Sequence, residues 1–304
     1  MIRMGRKSKD KQTSIIILTV TAVVLLLVSA ALAVYQNSAG IAAQDKREAS
    51  LEKARRHRAA AARSQSSSTS SQASSSQPGT AQPASLTTML RTALQPVDEV
   101  LYVWGGGWNE EDTGGNEEVN SMGVASSWIE FYKNNVNSYV ATDHAYAIHN
   151  GLDCSGYIGW VLYNTLPEKR DYVFNSDTFG QQLAAMGLGT FKNASEVTEI
   201  LPGDIMSTPG HIYIALGTFE DGSVLLLHSS PPGVRISGTY GIAYETALLY
   251  QQNGWDPLVD SSYLTYDQFR FNDQTLADPD GLRSMNVAQV VDIMFEDPNA
   301  PAGQ

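Results

Sequence analysis

The 304-residue chain has a single cysteine, Cys154, so no intrachain disulfide can stabilise it. Basic residues are also scarce after position 63: residues 64–304 contain 8 Lys and Arg against 28 Asp and Glu. A segment this acidic repels a phosphate backbone, and we therefore predict no nucleic-acid partner. No internal repeat at solenoid or propeller periods is visible. A folded part of the chain must therefore depend on a hydrophobic core.

The longest stretch without a charged residue lies near the N-terminus. Residues 14–35 carry no charge, and their number is close to the roughly 20 that cross a bilayer's hydrocarbon core. Residues 1–13 contain five Lys and Arg against one Asp, which is typical of a cytoplasmic tail. This pattern predicts a single-pass anchor with the rest of the chain outside the cytoplasm. The Ala-Leu-Ala of residues 31–33 leaves a cleaved secretory signal, and so a secreted protein, as the alternative.

The next segment, residues 36–86, has the composition of a stalk. Residues 41–63 are rich in Ala, Arg, Glu and Lys, which predicts a helical spacer with almost only alanine on its apolar positions. Residues 64–84 are a Ser, Gln, Thr and Pro run with too little apolar content to fold, which predicts a flexible linker. We therefore expect one globular domain, residues 87–304, held away from the membrane.

Helical patterns come first in this domain and strand patterns follow, which indicates an α+β arrangement. Residues 108–150 look polar and irregular. The expected elements are a helix capped by Ser85 over 86–100 with a break at Pro96, helices over 154–163 and 176–186, a hairpin of 212–216 and 224–228 around an Asp-Gly turn, a strand over 263–271, and a last helix or strand over 286–295.

Cys154 follows Asp153 and precedes Ser155 and Gly156 at the expected start of an apolar helix. A thiolate is the reactive form of cysteine, and a helix N-terminus lowers the pKa of a thiol. Gly156 permits close approach of a backbone or of a substrate. The alternative is an inert, buried cysteine that only packs. The surrounding residues favour a nucleophile.

Two histidines lie on the expected hairpin after Cys154. His211 begins the first strand and suits a general base at neutral pH. His228 ends the second strand, so pairing of the strands would bring it close enough to orient His211. Cys, His, His is the order of a cysteine-nucleophile hydrolase. His144 and His149 show no recognised zinc spacing, and we therefore predict neither a metal nor another cofactor.

Four ordered motifs in residues 86–238 resemble those of the NlpC-type cell-wall cysteine peptidases. The resemblance implies a compact papain-like α+β fold, with N-terminal helices packed on an antiparallel sheet. It also implies cleavage of peptide bonds in peptidoglycan stem peptides. The motifs are Tyr102-Val-Trp-Gly-Gly, Asp153-Cys154-Ser155-Gly156, Pro202-Gly203-Asp204, and His211-Ile-Tyr-Ile-Ala-Leu-Gly followed by His228.

The resemblance further implies roles for individual residues. Tyr102 matches a tyrosine whose hydroxyl lies near the nucleophile, and the oxyanion donor would be the nucleophile's own backbone N–H. Asp153 and Ser155 match positions that in many members help bind the free amine of the stem peptide's first residue. The nucleophile, the base and the residue that orients the base would be Cys154, His211 and His228.

Residues 108–152 are an insertion relative to the family, directly before Asp153. We expect this insertion to border the substrate groove, with a surface loop that has no role in recognition as the alternative. Replacement of residues 110–148 by a short Gly/Ser linker should leave the domain folded and alter its substrate range. The expected function is that of a thiol protease with its catalytic domain outside the bacterial cell membrane. Two alternatives are a CHAP-type peptidoglycan amidase, although that type normally has an acid or Asn as third residue, and a wall-binding module without turnover.

Overall fold

A computed structural model describes residues 84–107, 123–147, 149–168, 170, 172–251 and 253–295. The expected cytoplasmic tail, membrane anchor and helical spacer lie outside the described residues, and so does the linker up to residue 83. Within the described ranges, no helix is both long enough and apolar enough to cross a membrane.

The described residues form helices and strands in a mixed order. Helices α1–α6 are Leu86–Leu94, Ser126–Asn135, Cys154–Thr165, Phe179–Ala185, Gly241–Tyr250 and Val287–Phe295. Strands β1–β10 are Ala84–Ser85, Leu101–Tyr102, Gly151–Leu152, Gly189–Lys192, Ile205–Thr208, His211–Thr218, Val224–Ser230, Gly233–Gly238, Asp267–Phe271 and Leu276–Ala277. Short 3-10 helices are Val136–Ser138, Ala141–His144, Ala194–Glu196, Ser261–Thr265 and Leu282–Ser284.

Eight of the strands form one sheet in the order β3-β2-β8-β7-β6-β5-β9-β4. Neighbouring strands run antiparallel, except that β2 and β3 are parallel. Strands β1 and β10 form a separate parallel pair. The β6–β7 hairpin lies near the centre of the large sheet, so both of its faces can be covered.

The two faces of the central hairpin belong to different hydrophobic clusters. Side chains alternate along a strand, and Ile212 and Ile214 of β6 lie in the main core together with α1 and α3. Tyr213 and Ala215 lie in a smaller cluster on the other face. That second cluster includes Val259, Tyr266 and partly buried Tyr263 from the segment before β9. His211 lies two residues before Tyr213 on the same strand, and its side chain therefore lies on this second face.

The expected hairpin and the helix at Cys154 are confirmed, with turn residues Glu220-Asp221-Gly222 between β6 and β7. Helix α1 is capped by Ser85, whose Oγ accepts from the Thr88 N–H. It ends at Leu94, so the expected break at Pro96 is confirmed and the helix does not continue to residue 100. The helix expected over 176–186 is shorter, and β9 begins at Asp267 because 261–265 form a 3-10 helix. Residues 286–295 were expected to form either a helix or a strand, and the structure has helix α6 there.

The inserted segment is not irregular where it is described. Trp128 of α2 is fully buried, and its ring meets that of Trp160 in α3 edge to face with centroids 6.5 Å apart. The Trp160 indole N–H donates to the Gly123 carbonyl at 3.0 Å. The expected replacement of residues 110–148 would remove α2 and the buried Trp128, and it would leave a cavity beside Trp160.

Asp204, from the Pro-Gly-Asp motif, is fully buried and joins two strands. Arg270 of β9 binds both carboxylate oxygens, with Nε 2.7 Å from Oδ1 and Nη2 2.8 Å from Oδ2. The Leu201 N–H and the Gln268 amide donate to Oδ2 at 2.7 and 2.9 Å. This carboxylate is therefore fully hydrogen-bonded, and loss of its cation would leave a buried, uncompensated charge.

We expect Arg270→Met to lower the free energy of unfolding by about 3 kcal/mol, because breaking a buried ion pair leaves the Asp204 carboxylate buried without a counter-charge. Arg170→Met is the matched control, since Arg170 and its partner Glu168 are both exposed and such pairs contribute at most about 1 kcal/mol. Urea unfolding of the two variants measures the difference. Equal losses would contradict the structural role of Asp204.

Candidate active site

Cys154 is the first residue of α3 and is buried, with 7% of its surface exposed. Asp153 caps the helix: its Oδ1 accepts from the Gly156 N–H at 2.8 Å and from the Ser155 hydroxyl at 3.0 Å. The expected position of the thiol at a helix N-terminus is thus confirmed. The cap also fixes the direction in which the first turn presents its free N–H groups.

The glycine run after β2 packs its backbone directly against this helix start. The Asp153 N–H donates to the Gly106 carbonyl at 2.8 Å. A Cβ added at Gly156 would lie 3.0 Å from the Gly107 Cα atom. Gly156 therefore allows the backbone of the Trp-Gly-Gly-Gly run to pack directly against the start of α3.

The structure brings the two strand histidines together. His211 Nε2 lies 2.8 Å from His228 Nδ1, and the two rings meet edge to face. His228 is fully buried, and its Nε2 lies 2.9 Å from Ser237 Oγ and 3.5 Å from Arg235 Nε. Both ring nitrogens of His228 are therefore occupied by neighbouring side chains.

A β-bulge is what places His228 on the same face as His211. Near the turn, Thr218 of β6 pairs with Val224 of β7. A bulge between Ala215 and Gly217 shifts the register by one residue, so that Ile214 pairs with Leu227 farther along the strands. Without this shift of one residue, His228 would pair with Ile214 and face the main core. A one-residue slip moves every side chain of a strand to the opposite face, so the bulge determines the histidine pair.

The thiol lies beside this pair. The backbone N–H of Ile212, directly after His211, lies close enough to the Cys154 sulfur to lower its pKa. Tyr263 neighbours both groups: its ring centroid lies 5.1 Å from that of His211, and charge on Cys154 raises its pKa. Because His211 Nε2 contacts His228, Nδ1 is the ring nitrogen that this contact leaves unoccupied.

Burial sets the charge state of the site. Burial raises the pKa of Cys154 to about 12, with the negative charge of Asp153 as the next cause. Burial also lowers the pKa of His211 to about 4, with the charge of Arg235 adding to the effect, and it holds the pKa of His228 well below 6.5. The expectation of a lowered thiol pKa is therefore wrong for this site at rest, because desolvation outweighs the helix N–H groups. At neutral pH the thiol and both imidazoles are uncharged.

The three expected substrate-binding residues surround the thiol. The pKa of Tyr102 is raised by burial and then by negative charge on Cys154 and Asp153, so its hydroxyl stays protonated close to the nucleophile. The Tyr139 hydroxyl donates to the main-chain carbonyl of Tyr102 and ties the inserted segment to this strand. Ser155 is turned toward Asp153, whose Oδ1 is already used by the helix cap.

Four side chains near the histidines were not anticipated from the sequence. Tyr263 and Tyr266 stack with centroids 5.1 Å apart and lie against His211. Arg235 and Ser237 of β8 contact His228. The alternation of apolar Val234 and Ile236 with these two polar residues is a strand pattern, and it could have revealed β8.

His144 of the inserted segment contacts aromatic side chains of that segment, and the main-chain carbonyl of His149 accepts from the Ser127 hydroxyl at 3.3 Å. His144 stacks on Tyr139 and meets Phe131 edge to face, with both centroid distances 5.1 Å. Among the residues that the structure describes, no three His, Cys, Asp or Glu side chains are grouped so that they could hold a metal ion.

Comparison of the chain with protein-family models, curated proteins and solved structures gave no match. The geometry of Cys154, His211 and His228 is therefore the basis for the functional conclusions that follow.

The fully buried His228 and the partly buried His211, both neutral, should make folding depend on pH. Both have ordinary pKa values near 6.5 in the unfolded chain, whereas the folded value of His211 is about 4. The unfolded chain binds more protons between these values, so the stability is complete above pH 6.5 and is lost as the pH falls toward 4. His211 alone corresponds to about 3 kcal/mol. Urea unfolding at pH 7 and at pH 4.5 measures this loss.

The carboxylates of the protein also contribute to acid denaturation, so a variant must isolate the histidines. His228→Asn removes one titrating imidazole and keeps a polar side chain, and we expect a smaller loss of stability between the two pH values than in the wild type. An unchanged pH dependence in this variant would show that the buried pair does not control it.

Proposed function

We propose that the protein is an extracytoplasmic cysteine endopeptidase that hydrolyses peptide bonds in peptidoglycan stem peptides. The observation that carries the proposal is the 2.8 Å contact of His211 with His228 beside a thiol at a helix N-terminus. Burying two imidazoles and a thiol together lowers stability at acid pH and contributes little packing that apolar side chains could not supply. A catalytic role accounts for the three side chains together, whereas an inert cysteine accounts for none of the histidine contacts.

The uncharged resting state suits general-base catalysis. His211 Nδ1 accepts the thiol proton as the Cys154 sulfur attacks the peptide carbonyl. His211 Nε2–H donates to His228 Nδ1, which orients the imidazole and stabilises the imidazolium while it exists. The imidazolium then gives its proton to the leaving amine, and a thioester remains on Cys154. Water hydrolyses the thioester with His211 again accepting a proton.

The first turn of α3 supplies donors for the oxyanion that forms on the carbonyl. The backbone N–H groups of Cys154 and Ser155 both lie close enough to the sulfur to lower its pKa. Such groups at a helix N-terminus stabilise developing negative charge, and they do so more strongly where water is excluded. The protonated hydroxyl of Tyr102 is a further donor next to the thiol.

The substrate class rests on the resemblance to the NlpC-type peptidases. The carboxylate of Asp153 beside the nucleophile is consistent with a substrate that presents a free amine, as a stem peptide does at its first residue. The proposal also includes the anchor over residues 14–35 and the stalk over 36–86. Together these would restrict cleavage to the cell wall near the membrane, and a cleaved signal would instead release the enzyme.

Digestion of purified muropeptides by the full-length protein, read by mass spectrometry, tests the proposal. The wild type should yield products cut within the stem peptide. Cys154→Ala and His211→Ala should each lower the rate by about a thousandfold or more, because the nucleophile and its base act as one unit. Urea midpoints of the variants show whether they are folded.

The products distinguish the proposal from its alternatives. An amidase would release the whole stem peptide from the sugar, and a binding module would retain muropeptides without cutting them. Residual cleavage above a few per cent in folded Cys154→Ala would rule out this cysteine as the nucleophile.

Substitutions at His228 test its role as the partner of His211. In His228→Asn the amide oxygen can accept from His211 Nε2–H, as Nδ1 does, and we expect the rate to stay within about tenfold of the wild type. In His228→Ala nothing orients the base, and we expect a loss of about a hundredfold. His228→Gln should lie between them, since its amide oxygen reaches farther. Equal losses in all three variants would argue for a different role.

A further inference from the structure

We propose that Tyr263 is a positioning residue that holds the His211 imidazole in place and keeps water away from it, so that the proposed base stays unprotonated in mild acid. The catalytic consequence rests on the proposed function. The titration of His211 is a property of the folded chain and can be measured without a substrate. Tyr263 lies outside residues 86–238, the range that carries the four motifs, so the resemblance assigns it no role.

Three aromatic side chains surround the imidazole of His211. The ring centroid of Tyr263 lies 5.1 Å from that of His211, with 52° between the two planes. The ring of His228 lies at 5.0 Å and that of Tyr266 at 6.4 Å. The Tyr263 ring also meets the ring of His228 edge to face, with centroids 6.1 Å apart. Tyr263 therefore packs against both members of the histidine pair.

Tyr263 is itself held in place by its neighbours. Its main-chain carbonyl accepts from the Tyr213 hydroxyl at 2.8 Å, and the two rings stack with centroids 5.7 Å apart. Tyr213 is fully buried on β6, two residues after His211. Tyr263 belongs to the 3-10 helix Ser261–Thr265, which the Asp260 side chain caps. A ring that is fixed in this way can hold the imidazole beside it in one orientation.

The exclusion of water determines whether His211 is charged. Burial is the largest cause that lowers the pKa of His211 to about 4, and the positive charge of Arg235 adds to it. The Tyr263 side chain is partly buried, so part of it reaches solvent while its ring lies against His211. Its removal would let water reach the imidazole and stabilise the charged form. The titratable groups around His211 are those of Tyr263, Tyr266, His228, Cys154 and Arg235.

The consequence is a wide pH range for the proposed base. A general base acts only while it is unprotonated, and kcat/KM follows its pKa in the free enzyme. With a pKa of about 4, roughly nine tenths of His211 is unprotonated at pH 5. A histidine with the ordinary pKa near 6.5 is only about 3% unprotonated at that pH. The lowered pKa therefore preserves the base as the pH falls, until the pH approaches 4.

The test compares kcat/KM for purified muropeptides at pH 5 and at pH 7 in the full-length protein. The wild type should change by less than about threefold between the two pH values. In Tyr263→Ala water reaches His211, and we expect kcat/KM to be about tenfold or more lower at pH 5 than at pH 7. Tyr263→Phe keeps the ring and should restore the wild-type ratio. Urea midpoints at pH 5 show whether the variants are folded.

Tyr250→Ala is the matched control. Tyr250 is also partly buried and stacks on an aromatic ring, that of Phe295, with centroids 4.6 Å apart against the main core. We expect Tyr250→Ala to lower the stability without changing the ratio of kcat/KM at the two pH values. A wild-type ratio in Tyr263→Ala, or no rescue by Tyr263→Phe, would reduce Tyr263 to a structural residue.

Titration of His211 by NMR provides a readout that needs no cleavage. The chain has five histidines, so the His211 ring signals can be assigned with His211→Asn. We expect His211 to titrate below pH 5 in the wild type and at least about one pH unit higher in Tyr263→Ala. If Tyr263→Ala does not fold, Tyr263→Leu should show a smaller shift in the same direction.

A wild-type His211 that titrates near pH 6.5 would overturn the proposal whatever the variants do. An unshifted titration in a folded Tyr263→Ala or Tyr263→Leu would overturn it as well. If the wild type cleaves no muropeptide, the proposed function fails, and the titration separately decides whether Tyr263 keeps water from His211.

Discussion

The pairing register of β6 and β7 is the constraint on which the site depends. The bulge between Ala215 and Gly217 shifts the register by one residue and turns His228 from the main core to the face that carries His211. The resulting 2.8 Å contact fixes which nitrogen of His211 remains for the thiol. Helix α3 packs on the same hairpin from the other cluster, and its N-terminal cap places Cys154 beside the first residues of β6.

Burial is the second determinant of the chemistry. Tyr263 and Tyr266, from the segment before β9, lie against His211 and exclude water from the second face of the sheet. Desolvation favours the neutral forms of both the Cys154 thiol and the His211 imidazole, so Cys154 is not a thiolate before the substrate reacts. Reactivity therefore has to come from proton transfer during attack, with the helix N–H groups stabilising the charge as it develops.

Local signals made part of this arrangement predictable. The apolar run that begins at Cys154 predicted the helix there, and an Asp-Gly turn between two apolar runs predicted the hairpin that carries His211 and His228. The bulge, the Ser237 contact and the burial of Trp128 depend on contacts between elements distant in sequence, and no local pattern encodes them. The pKa of Cys154 was predicted in the wrong direction for the same reason, since its dominant cause is burial and not the helix dipole.

The most direct test of the account is reaction of the full-length protein with a stem-peptide analogue whose scissile carbonyl is replaced by an electrophilic group, compared with iodoacetamide. Intact-mass spectrometry should show one adduct on Cys154 from the peptide electrophile, at a rate at least about tenfold slower in His211→Ala. Iodoacetamide should react slowly with both proteins at pH 7, because the thiol is neutral and buried. Adduct formation at the same rate in His211→Ala, or no adduct on Cys154 from a protein that still cleaves muropeptides, would contradict the account.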